Sequence, residues 1–444
     1  MISVTEFLKR HGTYPGDIDL EAMCEDFEGE MVKGLSSYES GSSLLMLPTF
    51  IKACDAIPRD KPVIVIDAGG TNLRAAVIRF DRDMNCVISE FKNYQMPGSN
   101  GAVSKDEFFE TIYGYIDPLL DRSDQIGFCF SYPVSIQPNR DGRVITLSKE
   151  LKIEGLSGEL VNENLLNTIR SHRKTTRHTI IQLNDTVATL LGGMAAYPNR
   201  EFDGFIGYIL GTGTNTCYAE DCDNIKKLAE VELTPEQAKE YGPGNTMLVN
   251  IESGSFNKVP FGDFDESLDK KMKDPGRYRF EKAMSGGYQG MLMTEILLSA
   301  AAETLFSRAG NDDFEKIKNL ESRDLDNFLY YPNGDNILAS CAAHDGGDAR
   351  KLYYLIDALF ERAAVFTTAN ITSILRKTKT GGDPNKPACV TADGSTFYKS
   401  KLFRSKLDHH IREFTNGKNG LYCDFVKAEN GVITGAAIAA LQNS

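Results

Sequence analysis

The chain has 444 residues, 41% hydrophobic and 25% charged, with 49 basic and 62 acidic side chains and a net charge of −13. That length allows two or three domains with full cores, and the acidic balance excludes the basic surface on which a nucleic-acid backbone would bind. No apolar run reaches the roughly eighteen residues of a membrane span. The start, Met1 to Arg10, holds no apolar segment of leader length, so a cytoplasmic location without membrane contact is expected. Nine cysteines with no Cys-x-x-Cys pair predict reduced, mostly buried thiols, and six histidines form no transition-metal motif.

In chain order, helical periodicity runs over 19–37 behind an acidic start, and a serine-rich loop follows. Pro58-Arg59-Asp60-Lys61-Pro62 marks a boundary. Residues 63–80 predict a β-hairpin, 87–91 a third strand, 105–121 a helix and 126–130 a buried strand. A strand at 180–183 leads to Asn184-Asp185-Thr186, which opens a helix over 187–197. A second hairpin covers 206–215. Helices are predicted at 291–309 and 350–377, strand and turn return at 386–395, and a small-residue helix closes the chain at 435–441. This alternation is α/β.

The two hairpins share one chemistry. Val63 to Ile66 runs into Asp67-Ala68-Gly69-Gly70-Thr71-Asn72, and Ile206 to Leu210 runs into Gly211-Thr212-Gly213-Thr214-Asn215. Each apolar run breaks into glycines and ends in Gly-Thr-Asn. Glycine brings backbone N–H groups close to an anion, and the threonine hydroxyl adds a donor. Two such turns, one in each half, predict a grip on a polyphosphate from opposite sides, between two related lobes around a cleft. Valine at Gly70 or Gly213 is expected to abolish nucleotide turnover while the protein stays soluble. Neither a P-loop nor a dinucleotide glycine fingerprint is present, so a nucleotide would use the paired hairpins. Asp67, entering the first turn, suits Mg²⁺ held through water. Asp185, at a helix N-terminus, is expected to be ionised and to serve as a general base. Ser131, Ser148, Lys149, Glu252 and Glu281 are further polar residues set among apolar ones, suited to pairing the hydroxyls of a polyol.

These residues carry a resemblance. The chain resembles the hexokinases of the actin-like ATPase superfamily. The likeness runs through Met46-Leu47-Pro48-Thr49-Phe50, Asp67-Ala68-Gly69-Gly70-Thr71-Asn72-Leu73-Arg74 and Phe130-Ser131-Tyr132-Pro133. It continues through Ser148-Lys149, Asn184-Asp185-Thr186-Val187, Leu210 to Asn215, Asn250-Ile251-Glu252, Phe280-Glu281-Lys282, Ala392-Asp393-Gly394-Ser395 and Gly435-Ala436-Ala437. It implies a two-lobed, ribonuclease H-like fold. The small domain would take 58–183 and 428–444, and the large domain 1–57 and 184–427. It implies ATP-dependent phosphorylation of a hexose, glucose first, at the 6-hydroxyl, with Mg²⁺. Ser131, Ser148, Lys149, Asn184, Asp185, Asn215, Glu252 and Glu281 would contact the sugar, with Asp185 the base and Lys149 near the transferring phosphoryl. Asp67, Gly69, Gly70, Thr71, Asn72, Arg74, Gly211, Thr212 and Gly213 would face the phosphates and metal, and Gly394 and Ser395 the adenosine.

The chain departs from that family at Leu147-Ser148-Lys149-Glu150, where Trp-Thr-Lys-Gly is usual, and at Glu252-Ser253-Gly254, where Glu-Trp-Gly is usual; it has no tryptophan. Its length fits one catalytic unit. A sugar sensor with little turnover and an ATP-gated structural protein are the competing readings. Intact Asp185, Lys149 and Thr212 speak against the first, and the sugar-facing set against the second. The oligomeric state is left open.

Overall fold

The computed structural model describes residues 2–52, 57–145, 151–174, 177–197 and 199–443. The first apolar run forms β1 (Val63–Ala68), buried along its whole length, which turns back into β2 (Asn72–Phe80). The Gly69 N–H donates to the Asn72 carbonyl at 3.0 Å and closes the turn. β3 (Cys86–Gln95) pairs antiparallel with β2, while β4 (Gln125–Phe130) and β5 (Thr179–Leu183) add in parallel on the far side of β1. The sheet order is β5-β4-β1-β2-β3.

The second half repeats the plan. β6 (Gly204–Leu210) turns into β7 (Thr214–Asp221), β8 (Thr246–Asn250) pairs antiparallel with β7, and β9 (Ala388–Asp393) and β10 (Cys423–Val426) add in parallel beyond β6. That sheet runs β10-β9-β6-β7-β8, and the two-residue strand Leu47–Pro48 extends its β8 edge. The same hairpin-plus-two-parallel-strands unit therefore occurs twice, as the echo between the glycine turns predicts.

Five helices position the site. α1 (Asp185–Ala196) follows β5, capped by the Asn184 side chain. α2 (Arg279–Met284) and α3 (Gly286–Ala302) lie against the second sheet's turn, α4 (Gly346–Thr378) is 33 residues long, and α5 (Gly431–Asn443) ends the chain. The predicted helix over 291–309 breaks after Ala302, because Thr304 takes a left-handed φ of 57° before a new helix starts at Arg308. The small residues of α5 let it pack on both α1 and the first sheet. A Cβ on Gly435 would lie 1.8 Å from the Ala188 carbonyl oxygen, and one on Gly192 would lie 2.3 Å from that of Gly431. Larger side chains there would separate the helices between the two sheets.

A second connection joins the lobes. The hairpin turn at Arg140 holds that residue at φ 62° and sends its side chain outward. Its Nε donates to the Phe50 carbonyl at 2.8 Å, Nη1 to the Asn443 carbonyl at 2.9 Å and Nη2 to Glu240 Oε1 at 2.5 Å. The Gln237 side chain donates to the Pro138 carbonyl at 3.0 Å.

Candidate active site

The site forms where strands of the two sheets end. Ser131 follows β4 directly, its N–H donating to the Ala68 carbonyl at 3.1 Å, so it lies beside the first glycine turn. The Tyr132 hydroxyl backs that turn, donating to the carbonyls of Gly69 at 3.1 Å and Gly70 at 3.2 Å. This leaves Gly70, Thr71 and Asn72 exposed on the outer side, with the Asn72 amide donating to the Thr71 hydroxyl at 3.0 Å. Asp67 is buried, and the half-exposed Arg74 approaches it at 3.3 Å. Burial raises the Asp67 pKa above the ordinary carboxylate range; Arg74 opposes this and the Asp393 carboxylate of the second lobe adds to it.

Asp185 is the first residue of α1, and its carboxylate accepts from the Thr186 N–H at 2.8 Å. The sequence expectation that Asp185 is ionised at neutral pH needs correction. Burial pushes it up to about 7, and the charges of Glu252 and Asp67 push the same way against the Thr186 hydrogen bond. Desolvation outweighs the helix N-terminus here.

Glu252, Asn250 and Asn215 form one network. The Asn250 amide donates to Glu252 Oε1 at 2.8 Å, and Asn215 Nδ2 donates to Asn250 Oδ1 at 2.8 Å and to Glu252 Oε1 at 3.3 Å. Burial raises the Glu252 pKa despite these bonds. Glu281, on α2, accepts from the Thr214 N–H at 3.0 Å, and burial pushes its pKa up to about 7. Asn184, Asn250 and Glu252 line a small cavity with Thr49, Tyr132 and Pro133, so residues of both lobes share its wall.

The second glycine turn is held from behind. Gly286 and Gly287, at the start of α3, donate backbone N–H groups to the carbonyls of Gly211 at 2.8 Å and Thr212 at 2.9 Å, and the Ser285 hydroxyl donates to Thr212 at 2.8 Å. Thr212 is left exposed. Gly394, at φ 115°, packs against this turn: a Cβ there would sit 2.2 Å from the Leu210 carbonyl oxygen. Ser395 follows it, exposed, at the head of a short helix. A cavity of about 710 Å³ opens nearby, with Arg74 and Asn93 on one wall and Asp393 and Lys427 on the other.

The structure thus brings Asp67, the first turn and Ser131 together from one sheet. Asn184 and Asp185 follow β5 of that same sheet, and from the second sheet and the helices against it come Asn215, Glu252, Glu281, the second turn and Gly394-Ser395. Ser148 and Lys149, with Leu147 and Glu150, lie outside the described residues. Gly213 has a neighbour the sequence reading missed: a Cβ there would lie 2.5 Å from Glu281 Oε2, so the turn abuts the Glu281 carboxylate. Asn250, Ser285, Gly286 and Gly287 were also missed as supports. Gly286-Gly287 at a helix start was the one signal that could have shown the last two. Among the described residues, no group of three or more His, Cys, Asp or Glu side chains could hold a metal ion. Among the described residues, no helix is long and apolar enough to cross a membrane.

Comparison with known proteins agrees with this arrangement. Two family models described as hexokinase match residues 8–195 and 205–442. Hexokinase-7 of Oryza sativa is 28% identical, over 96% of this chain and 94% of its own length. Glucokinase-1 of Kluyveromyces lactis is 29% identical, over 95% of this chain and 94% of its own. In fold, the chain is similar to the hexokinase of Schistosoma mansoni solved with glucose, with a TM-score of 0.76 at 22% identity, covering 99% of this chain and all of that one. The chain belongs to the hexokinase family, and its reaction is the ATP-dependent phosphorylation of a hexose.

Proposed function

We propose that the hexose is glucose, that its 6-hydroxyl is the acceptor, and that Asp185 is the base. The observation that carries this reading is the position of Asp185. It heads α1 directly after Asn184, which lines the same small cavity as Asn250 and Glu252, and its carboxyl is raised first by burial and then by the charges of Glu252 and of Asp67 at the entry to the first glycine turn. A carboxylate between a phosphate turn and a polyol-binding network can accept the hydroxyl proton as the oxygen bonds to the γ-phosphorus and ADP departs. With its pKa at about 7 it can take up that proton and release it again near neutral pH.

Asn184, Asn215, Glu252, Glu281 and Ser131 supply donors and acceptors for the remaining hydroxyls. Ser148 and Lys149 join them on the strength of the sequence resemblance. Gly70, Thr71, Asn72, Arg74, Gly211, Thr212 and Gly213 would take the phosphates, and Gly394 and Ser395 the adenosine. The Asp67 charge adds to the burial that disfavours the Asp185 carboxylate, and carboxylate oxygens of this kind fit an Mg²⁺ that would arrive with ATP and keep several waters. When bound, the ion neutralises phosphate charge. The small lobe would comprise 58–183 and 428–444 and the large lobe 1–57 and 184–427. The eight described cysteines are free, in keeping with the proposed cytoplasmic setting. A panel of hexoses against ATP, read by coupled detection of sugar 6-phosphate, tests the proposal. Glucose should be among the best substrates, and no turnover of any hexose would overturn it.

A further inference from the structure

We propose that Thr216 and Asn370 are positioning residues for sugar recognition. They hold the Glu252–Ser253 turn, and through it the Glu252 carboxylate and the Asn215 amide, in the geometry that grips the hexose. The inference rests on the reading above that Asn215 and Glu252 contact the sugar.

Glu252 sits at φ 57° and ψ 50°, a left-handed conformation that a side chain with a Cβ keeps only where its surroundings over-determine it. The determinants converge on the next residue. The Ser253 N–H donates to Asn215 Oδ1 at 3.3 Å, and that same oxygen accepts from the Thr216 N–H at 2.7 Å. Behind them runs a chain of side chains. Asn370 Nδ2 donates to the Thr216 hydroxyl at 2.7 Å, and that hydroxyl donates to the Ser253 hydroxyl at 2.7 Å. All three are fully buried. Asn370 lies in the C-terminal half of α4, far from the site in sequence, so the long helix is tied to the turn that presents Glu252.

Stability alone does not call for this chain. Three apolar residues of similar size would fill the space without desolvating polar groups. Among the described residues Asn370 Oδ1 has no hydrogen-bond partner, and the bond from its nitrogen to Thr216 is the one this amide makes. Ser253 also stands where the family usually has tryptophan. In this chain, a directed hydrogen-bond chain holds the turn beside Glu252 in place of an aromatic wedge.

Thr216→Val keeps the shape and removes the hydroxyl. Glucose affinity without nucleotide, and the KM for glucose, should weaken about tenfold, the scale of one buried hydrogen bond, with kcat and the KM for ATP nearly unchanged. Thr216→Ser should restore them. Thr372→Val is the matched control: Thr372 is buried on α4 two residues after Asn370, and its hydroxyl pairs with that of Thr415 at 2.8 Å, with no hydrogen bond among the described residues leading on to the site. It should lose comparable thermal stability and keep native glucose affinity. Native glucose affinity in a less stable Thr216→Val protein would make the chain merely structural and overturn the proposal. Should that variant fail to fold, Ser253→Ala removes the last link and is read the same way. Glu252→Ala separates the two levels. Native affinity there overturns the sugar-site reading itself, whereas weakened affinity there with native affinity in Thr216→Val overturns only the positioning role.

Discussion

Asp185 shows how one residue's environment sets its chemistry. A carboxylate at a helix start is ordinarily held ionised. Here burial and two neighbouring carboxylates raise its pKa to about 7. As a base it must be unprotonated, so kcat/KM should rise with pH toward a plateau above about 7 and fall below it. Asp185→Asn should lower kcat by about a hundredfold or more, the scale of a positioned base, with a smaller loss of glucose binding. Near-native kcat in the folded variant would remove Asp185 from the mechanism. The same shift links to stability. A carboxyl whose folded-state pKa lies above its unfolded one stabilises the protein fully below the unfolded value, and that contribution is lost as pH rises through the folded value. Without sugar, Asp185→Asn should therefore gain thermal stability relative to the native protein as pH increases from 4 to 8. A difference in melting temperature that stays constant across that range would contradict the raised pKa.

At the scale of elements, the second glycine turn and the N-terminus of α3 act as a pair. The Gly287 N–H supports the Thr212 carbonyl, and a Cβ on Gly287 would come within 2.7 Å of that backbone oxygen. Backbone cannot swing aside as a side chain can. Gly287→Ala should displace Thr212 and raise the KM for ATP about tenfold, with glucose affinity by titration retained. Gly213→Ala should differ. Its Cβ meets the end of the Glu281 side chain, which can move only by giving up its bond from the Thr214 N–H. Glucose affinity should then weaken as well, contrary to the expectation that glycine here serves phosphate alone. Steady-state kinetics with each substrate varied would separate the two variants, and identical KM patterns would refute the division.

At the scale of the molecule, two copies of one sheet plan meet across α5 and across the Arg140 clasp. Water would compete with the sugar for the γ-phosphate in a permanently assembled site, so a hexose kinase gains from closing only on its sugar. The proposed ligands come from both lobes, Ser131 from one and Asn215, Glu252 and Glu281 from the other. Small-angle scattering should therefore give a smaller radius of gyration with saturating glucose than without. Arg140→Ala removes three contacts to Phe50, Asn443 and Glu240. It should enlarge the unliganded form and raise the KM for glucose, while the sugar-bound radius returns to the native value. Equal radii in all four conditions would leave closure without a role.

Reading the chain alone was enough to find the paired glycine turns, the strand that carries Asp67, the helix start at Asn184-Asp185, the α/β alternation and the family, because each shows up as a local pattern. A strand that breaks into Gly-Thr-Asn, or an Asn-Asp at a helix start, carries its chemistry within a few residues. The presence of α4 and α5 was legible for the same reason, since helical period and small-residue runs are local, although each helix begins four residues before the segment the sequence pattern marks. What only the tertiary structure decided is how distant segments act on one another. The pKa of Asp185 depends on Glu252 and Asp67, far apart in the chain. The fit of Gly213 depends on Glu281, the support of Thr212 on α3, and the set of the Glu252 turn on Asn370. Burial, close approach and hydrogen-bond direction arise from packing, and packing joins residues that sequence spacing keeps apart.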